Sequence, residues 1–416
     1  MLPKRCFHAT FLVRVNRKTM GIFKNQFYHD YSYLIIEKCL KLILNFTIFF
    51  ITLIEFSNTE YRSFILTLSV LQIYSLGSAA GIDTRYNFSL SRCSAYRAVF
   101  QDYVVIRTTT ATVLGLVGCI VYVIFNNANV TTLLTILFFC WGSASFALET
   151  QILMQQKPYE LFKITAPLAL MFLPIKILTI INYSSHQLLL MMSIELLLQA
   201  ILLYKVTKKN FPINENAKTK TINRSFKILL SHRNIYTFFG EIIIVILQKA
   251  FLISAGIFSS LDVIKLAAII QRAIDLLMLI MANYYKLKIK NDHLLILEQA
   301  KLTAVWITIG YCAISTFFLV IAKIQISPDH LHLIGLGIIN CIFFYCFQLC
   351  RFVLNREGDY ARFGLIAFGS LLCYVVNLIL LHPISNNAFL FFLLPLIFIL
   401  KKEMSNEKYG KGHWIN

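Results

Sequence analysis

Twelve stretches of this chain stay apolar for nearly the length a helix needs to cross a bilayer, and that pattern constrains the fold more than any motif in it. Crossing hydrocarbon about 30 Å thick takes roughly 20 residues of helix, and inside it each backbone polar group must be bonded within its own segment. The stretches lie near residues 33–54, 63–82, 103–125, 130–151, 161–181, 186–204, 234–258, 263–285, 303–323, 330–350, 361–381 and 385–400. With 58% hydrophobic and only 14% charged side chains, the composition excludes an ordinary soluble enzyme. The sequence predicts an all-α, polytopic integral membrane protein of about 12 transmembrane helices.

A net charge of +19 invites a nucleic-acid partner, but the basic residues are distributed too unevenly for that. With loops assigned alternately to the two sides, 30 of the 39 Lys and Arg fall on one side and three (Arg62, Lys265, Lys323) on the other. Six more, Lys38, Lys41, Arg107, Lys176, Lys249 and Arg272, lie inside spans, away from the terminal residues counted with the loops. By the positive-inside rule both termini are then cytoplasmic, and one missed or extra helix would destroy the asymmetry. The chain reads as a basic cytoplasmic segment (1–32), a six-helix lobe (33–204), a basic linker (205–233), a second six-helix lobe (234–400) and a cytoplasmic tail (401–416). The linker carries eight basic residues with Pro212, Asn214, Asn216 and Thr219 among them. Outer loops are short, the largest near 57–62 and 325–329, which leaves no room for an extracytoplasmic catalytic domain. Residues 1–30 lack the apolar core and small-residue cleavage site of a signal peptide, and Met20-Gly21 is a second candidate start.

The chemistry is in the charges sunk within apolar segments. Segment 234–258 holds Glu241, Gln248 and Lys249, and segment 263–285 holds Arg272 and Asp275. If the first enters from the cytoplasm and the second returns, Lys249 and Arg272 each lie roughly 10 to 12 Å from the outer end at about 1.5 Å per residue. A cation there costs on the order of 2.5 to 3.5 kcal/mol on insertion scales, so it is expected to face a protein interior or a water-filled cavity. For Lys41, four residues after Glu37 and beside Lys38, two readings stand: an intrahelical pair that snorkels to the cytoplasmic end, or a cavity role. The same two stand for Arg107. Lys176 reads as snorkelling at the outer end, Glu149 as solvated at the cytoplasmic surface, and Asp275 as a neighbour that neutralises Arg272. Glu149, Glu195 and Glu241 have no obvious local partner, so a buried carboxyl at any of them could take up and release a proton.

Nothing points to soluble chemistry. No phosphate-cradling glycine loop, paired-histidine metal spacing or nucleophile elbow occurs. The ten cysteines, Cys346 and Cys350 included, read as small hydrophobes, and His330 and His332 as interfacial residues. The Gly77-Ser78-Ala79-Ala80-Gly81 run reads as close helix packing or a local break.

The opening Glu37-Lys38-Cys39-Leu40, the ending Ala80-Gly81-Ile82-Asp83-Thr84-Arg85, the passage 151–162 and the hairpin 234–283 resemble a Wzx-type polysaccharide flippase of the MATE-like transporter superfamily. One departure is Gln248-Lys249, which stands where that family often has an acidic residue. The resemblance implies two lobes around a central cavity that opens to each side in turn. It implies a bacterial inner-membrane location and a cargo of undecaprenyl-pyrophosphate-linked O-antigen repeat units, with O-antigen polymerase and chain-length machinery as further partners. Lys41, Arg107, Lys249 and Arg272 are the candidates for holding the pyrophosphate, because Lys and Arg pair with dense oxyanions. Glu195, Glu241 and Asp275 are the candidates for ion coupling. No cofactor, metal or catalytic residue is expected. An O-antigen polymerase would carry a large basic periplasmic loop, and a cationic-drug antiporter would favour buried carboxylates without buried cations.

Overall fold

The computed structural model describes residues 17–79, 96–125, 129–154, 158–210, 232–258, 264–275 and 277, some positions between 308 and 345, and 360–381. Apart from short turns at 56–57, 129, 143 and 183–184, these residues are α-helical. The chain divides into two compact units, Met1–Phe56 with Tyr74–Ser231, and Ser57–Ile73 with His232–Asn416. Residues 57–73 thus group with the second unit, a division inside one helix that the counting of apolar runs does not reveal.

The first unit contains α1 (Arg17–Glu55), the end of α2 (Asn58–Ala79), α3 (Tyr96–Phe125), α4 (Val130–Gly142), α5 (Ala144–Met154), α6 (Pro158–Asn182) and α7 (Ser185–Asn210). Its centre is α7, against which α4, α5 and α6 pack, while α1 lies on α6 and α3 on α4. The helix starts are written locally. The Asn129 side chain accepts from the Thr131 N–H at 2.9 Å and opens α4, and Pro158 sits in the first turn of α6, where its missing N–H costs nothing. The turn between α6 and α7 is two residues long; there the Gln187 side chain reaches back to the Ser184 N–H at 3.4 Å in the manner of a capping box.

Three of these helices, over Tyr103–Ile124, Tyr159–Asn182 and Ser185–Lys209, are long and apolar enough to cross a membrane. The first and second bare their apolar residues at helical spacing: Val113, Leu116, Val117, Ile120 and Ile124 on α3, and Met171, Ile175, Leu178 and Ile181 on α6. Ile124 is 70% exposed while Glu37 is 1% and Arg107 2%, the reverse of the partition that water imposes.

The expected span 130–151 is broken at Ser143. Its hydroxyl bonds back to the Cys140 carbonyl at 2.6 Å, the local competition by which serine bends helices. At this break α4 and α7 approach closely, and a Cβ on Gly142 would meet the Leu197 nitrogen at 2.7 Å and the Leu196 carbonyl carbon at 2.8 Å. Backbone cannot yield as a side chain does. Gly142→Ala is therefore expected to destabilise the protein by about 1 to 3 kcal/mol, read as earlier thermal unfolding of the detergent-purified chain; unchanged unfolding would show that α4 and α7 separate easily.

In the second unit, α8 (His232–Phe258) packs on α9 (Tyr360–Leu381). The contact depends on Gly240, whose added Cβ would come within 2.6 Å of the fully buried Phe363 ring. Residues 264–275 are helical and deeply enclosed, with Ile264, Leu266, Ala267, Ala268, Ile269, Ile270, Ala273 and Ile274 each 1% exposed or less. The expected spans 303–323 and 330–350 are described only at isolated positions. Residues 1–16, Gly81 to Arg85, 211–231, His330, His332, Cys346, Cys350, the span 385–400 and the tail lie outside the described residues.

Candidate functional site

Three helix faces of the second unit converge on one small cleft. Ile65, Leu68, Ser69 and Gln72 on α2, Lys249 and Leu252 on α8, and Ala268, Gln271, Arg272 and Asp275 on residues 264–275 line it. The α2 set and the 268–275 set both run i, i+3, i+4, i+7, so each presents a single helical face. The cleft is narrow, with free space for little more than one water molecule. Lys249 and Arg272, placed at similar depth by the sequence, thus border the same cleft.

The charges there are organised around Asp275. Lys249 Nζ donates to its Oδ2 at 2.9 Å and Gln271 Nε2 donates to its Oδ1 at 2.8 Å. The carboxylate that the sequence places one turn from Arg272 thus also has a partner on the next helix, Lys249. Residues 271 and 275 are one turn apart, so the amide and the carboxylate share a face, and Lys249 reaches them from α8. The lysine side chain is 7% exposed and the carboxylate 33%, so the pair is anchored at its cationic end and open at its anionic end. Tyr61 is fully buried within electrostatic reach of Arg272. Among the described residues, neither its hydroxyl nor Gln271 Oε1 has a hydrogen-bond partner. Glu241 lies two turns before Lys249 on α8, 8% exposed.

The first unit holds a second assembly of charge, and Lys41 belongs to it. Lys41 Nζ lies 2.8 Å from Glu37 Oε1 and 2.7 Å from Glu149 Oε1, while Lys38 Nζ lies 3.1 Å from Glu37 Oε2 and 2.9 Å from Glu149 Oε2. Gln199 adds a hydrogen bond to Glu149 at 2.5 Å and Thr165 one to Glu37 at 3.1 Å. Two cations and two anions balance, and α1, α5, α6 and α7 each contribute. The intrahelical Glu37–Lys41 pair is present as one edge of a larger square. Glu149 departs from the solvated position expected for it: it is 7% exposed, because α5 turns it inward onto α1 and α7. With both ammonium groups shared between carboxylates, Lys41 acts here as a tie between helices.

Arg107 and Glu195 sit apart from both assemblies. Arg107 is 2% exposed and its Nη2 donates to Ser143 Oγ at 2.8 Å, so it braces the break between α4 and α5. Glu195 on α7 forms an ion pair with Lys176 on α6, which gives each the partner that its own segment lacks. The structure thus gathers Lys249, Arg272 and Asp275 at one cleft and places Lys41, Arg107, Glu195 and Glu241 elsewhere. Among the described residues Cys39, Cys119, Cys140, Cys312 and Cys341 are free thiols, and no cluster of three metal-ligating side chains occurs.

No protein-family model matches the chain, and no curated protein matches its sequence.

Proposed function

We propose that the chain is a transporter and not an enzyme. In this reading it is a flippase of about twelve spans in the bacterial inner membrane, with both termini cytoplasmic. It carries an undecaprenyl-pyrophosphate-linked polysaccharide repeat unit from the cytoplasmic to the periplasmic leaflet by alternating access. The observation that carries this reading is the cleft lined by Lys249, Arg272 and Asp275, two cations and one acid among the described residues. Cations within apolar helices pair with counter-charges or face a water-filled cavity, and a cavity that holds two of them can receive an anion.

The chemistry of the cleft fits part of such a cargo, since Lys and Arg pair with phosphate oxygens. A carrier of cationic drugs would need the opposite balance of charge. The apolar outer faces of α3 and α6, with Glu37, Arg107, Glu149 and Lys176 turned inward, support an apolar surrounding for the helices.

The test is complementation of a bacterial strain whose own flippase is deleted, with wild type, Lys249→Ala and Arg272→Ala compared at matched membrane abundance. Surface polysaccharide is expected to return with wild type and to fall at least tenfold with either substitution, the loss expected for one charge-assisted contact. Full restoration by both variants would remove the cleft from the transport path. Failure of the wild type to restore polysaccharide while lipid-linked units still cross would favour a polymerase.

A further inference from the structure

Asp275 takes up the interactions that a bound oxyanion would need. Its two oxygens accept from the Lys249 ammonium at 2.9 Å and the Gln271 amide at 2.8 Å, and Arg272, Ser69 and Gln72 border the same space. A phosphate oxygen asks for the same donors in the same geometry, N⁺–H···O⁻ contacts near 2.8 Å. The exposures of the two partners are unequal in a way that matters. The Lys249 side chain, 7% exposed, has little room to follow its partner, while the Asp275 carboxylate, 33% exposed, has an open side to turn toward. If Asp275 leaves, Lys249 is a buried charge without compensation, a state that strongly favours capture of another anion.

We propose that Asp275 is an internal stand-in for the anionic group of the ligand, and that a phosphate or diphosphate group enters the cleft by taking Lys249 from it. This rests on the anion-carrier reading above and adds a regulation to the same site. When the ligand departs, Asp275 returns to Lys249, so the cation is never left bare and the ligand is never held at its full intrinsic affinity. Weak net binding is what a carrier needs in order to release its cargo.

The experiment uses the full chain in lipid nanodiscs, with calorimetric titration of inorganic diphosphate and competition by a polyprenyl diphosphate carried in the same membrane. Asp275→Asn keeps the size of the side chain and is expected to bind inorganic diphosphate roughly tenfold tighter than wild type, the scale of one charge-assisted hydrogen bond. Lys249→Gln and the double variant Lys249→Gln/Asp275→Asn are expected to bind at least tenfold more weakly than wild type. In the wild type itself, infrared difference spectra should show a carboxylate band shifting as diphosphate is added. That measurement decides the matter alone if Asp275→Asn does not fold. If wild type binds diphosphate but Asp275→Asn binds it no tighter and no carboxylate band moves, the stand-in role is overturned while the anion site survives. If neither wild type nor Asp275→Asn binds either diphosphate, the anion-carrier reading itself falls. If exchange is seen with inorganic diphosphate and the polyprenyl form does not compete, the stand-in role holds and the ligand is a soluble phosphate compound.

Discussion

Glu149→Ala is expected to abolish most of the folded protein recovered from membranes. Glu149 is the acidic hub on which Lys38, Lys41 and Gln199 converge at 2.9, 2.7 and 2.5 Å, from α1 and α7. Removing one partner of a buried ion pair costs about 3 to 5 kcal/mol, chiefly because the remaining charge is left buried and uncompensated. Here the lower end applies, about 3 kcal/mol, because both lysines keep Glu37 and their side chains are 21% exposed. That is still a large share of the roughly 5 to 15 kcal/mol by which proteins are stable. The measurement is the monodisperse fraction on size exclusion after detergent extraction, together with its thermal unfolding. Glu149→Gln, which keeps the shape and one acceptor, should fall between wild type and Ala. Combining Glu149→Ala with Lys38→Met should recover part of the loss, because the surplus cation goes with it. A Glu149→Ala protein as stable as wild type would mean that the four-charge assembly does not hold these helices together.

Whether a feature could be read in the sequence depended on whether its cause was local. The runs 103–125, 161–181 and 186–204 became α3, α6 and α7 with small shifts at their ends, since an apolar stretch of that length has few alternatives to a helix. The interruption of the run 130–151 is not legible in the sequence. Its cause is a single Ser143 hydroxyl turned onto Cys140, with Arg107 bracing it from 36 residues away. The burial of Glu149 is hidden for the same reason, because its partners lie 108 and 111 residues earlier and its own surroundings look like the end of a segment. A signal was available: Glu149 and Gln199 are polar groups within apolar segments, and buried polar groups are paired. Lys249 and Arg272 were legible as a couple because adjacent antiparallel helices bring equal depths level. The Lys249–Asp275 pair was not, because spacing along one helix shows which residues share a turn and is silent about what reaches in from the next.

Reversing Lys176 alone, or Glu195 alone, is expected to be as damaging as removing Glu149, and reversing both should restore the protein. The turn between α6 and α7 spans two residues, which makes the helices an antiparallel hairpin. Lys176 then lies roughly 9 Å from the turn and Glu195 roughly 15 Å, at about 1.5 Å per residue. Side chains lean toward the N-terminus of their helix, so Lys176 leans away from the turn and Glu195 toward it, and the two close the remaining gap. They meet as an ion pair with side chains 9% and 16% exposed. Lys176→Glu would set two carboxylates against each other there, and Glu195→Lys two ammonium groups, with a cost of at least about 3 to 5 kcal/mol in either case. Lys176→Glu with Glu195→Lys reinstates one charge of each sign at the same place. Unfolding temperatures of the two single variants and the double variant form a cycle whose coupling should be large and restoring. A double variant no more stable than the singles would mean that the site depends on the particular shapes of the two side chains. Single variants as stable as wild type would mean that water reaches the pair freely, and the burial of charge between α6 and α7 would lose its significance.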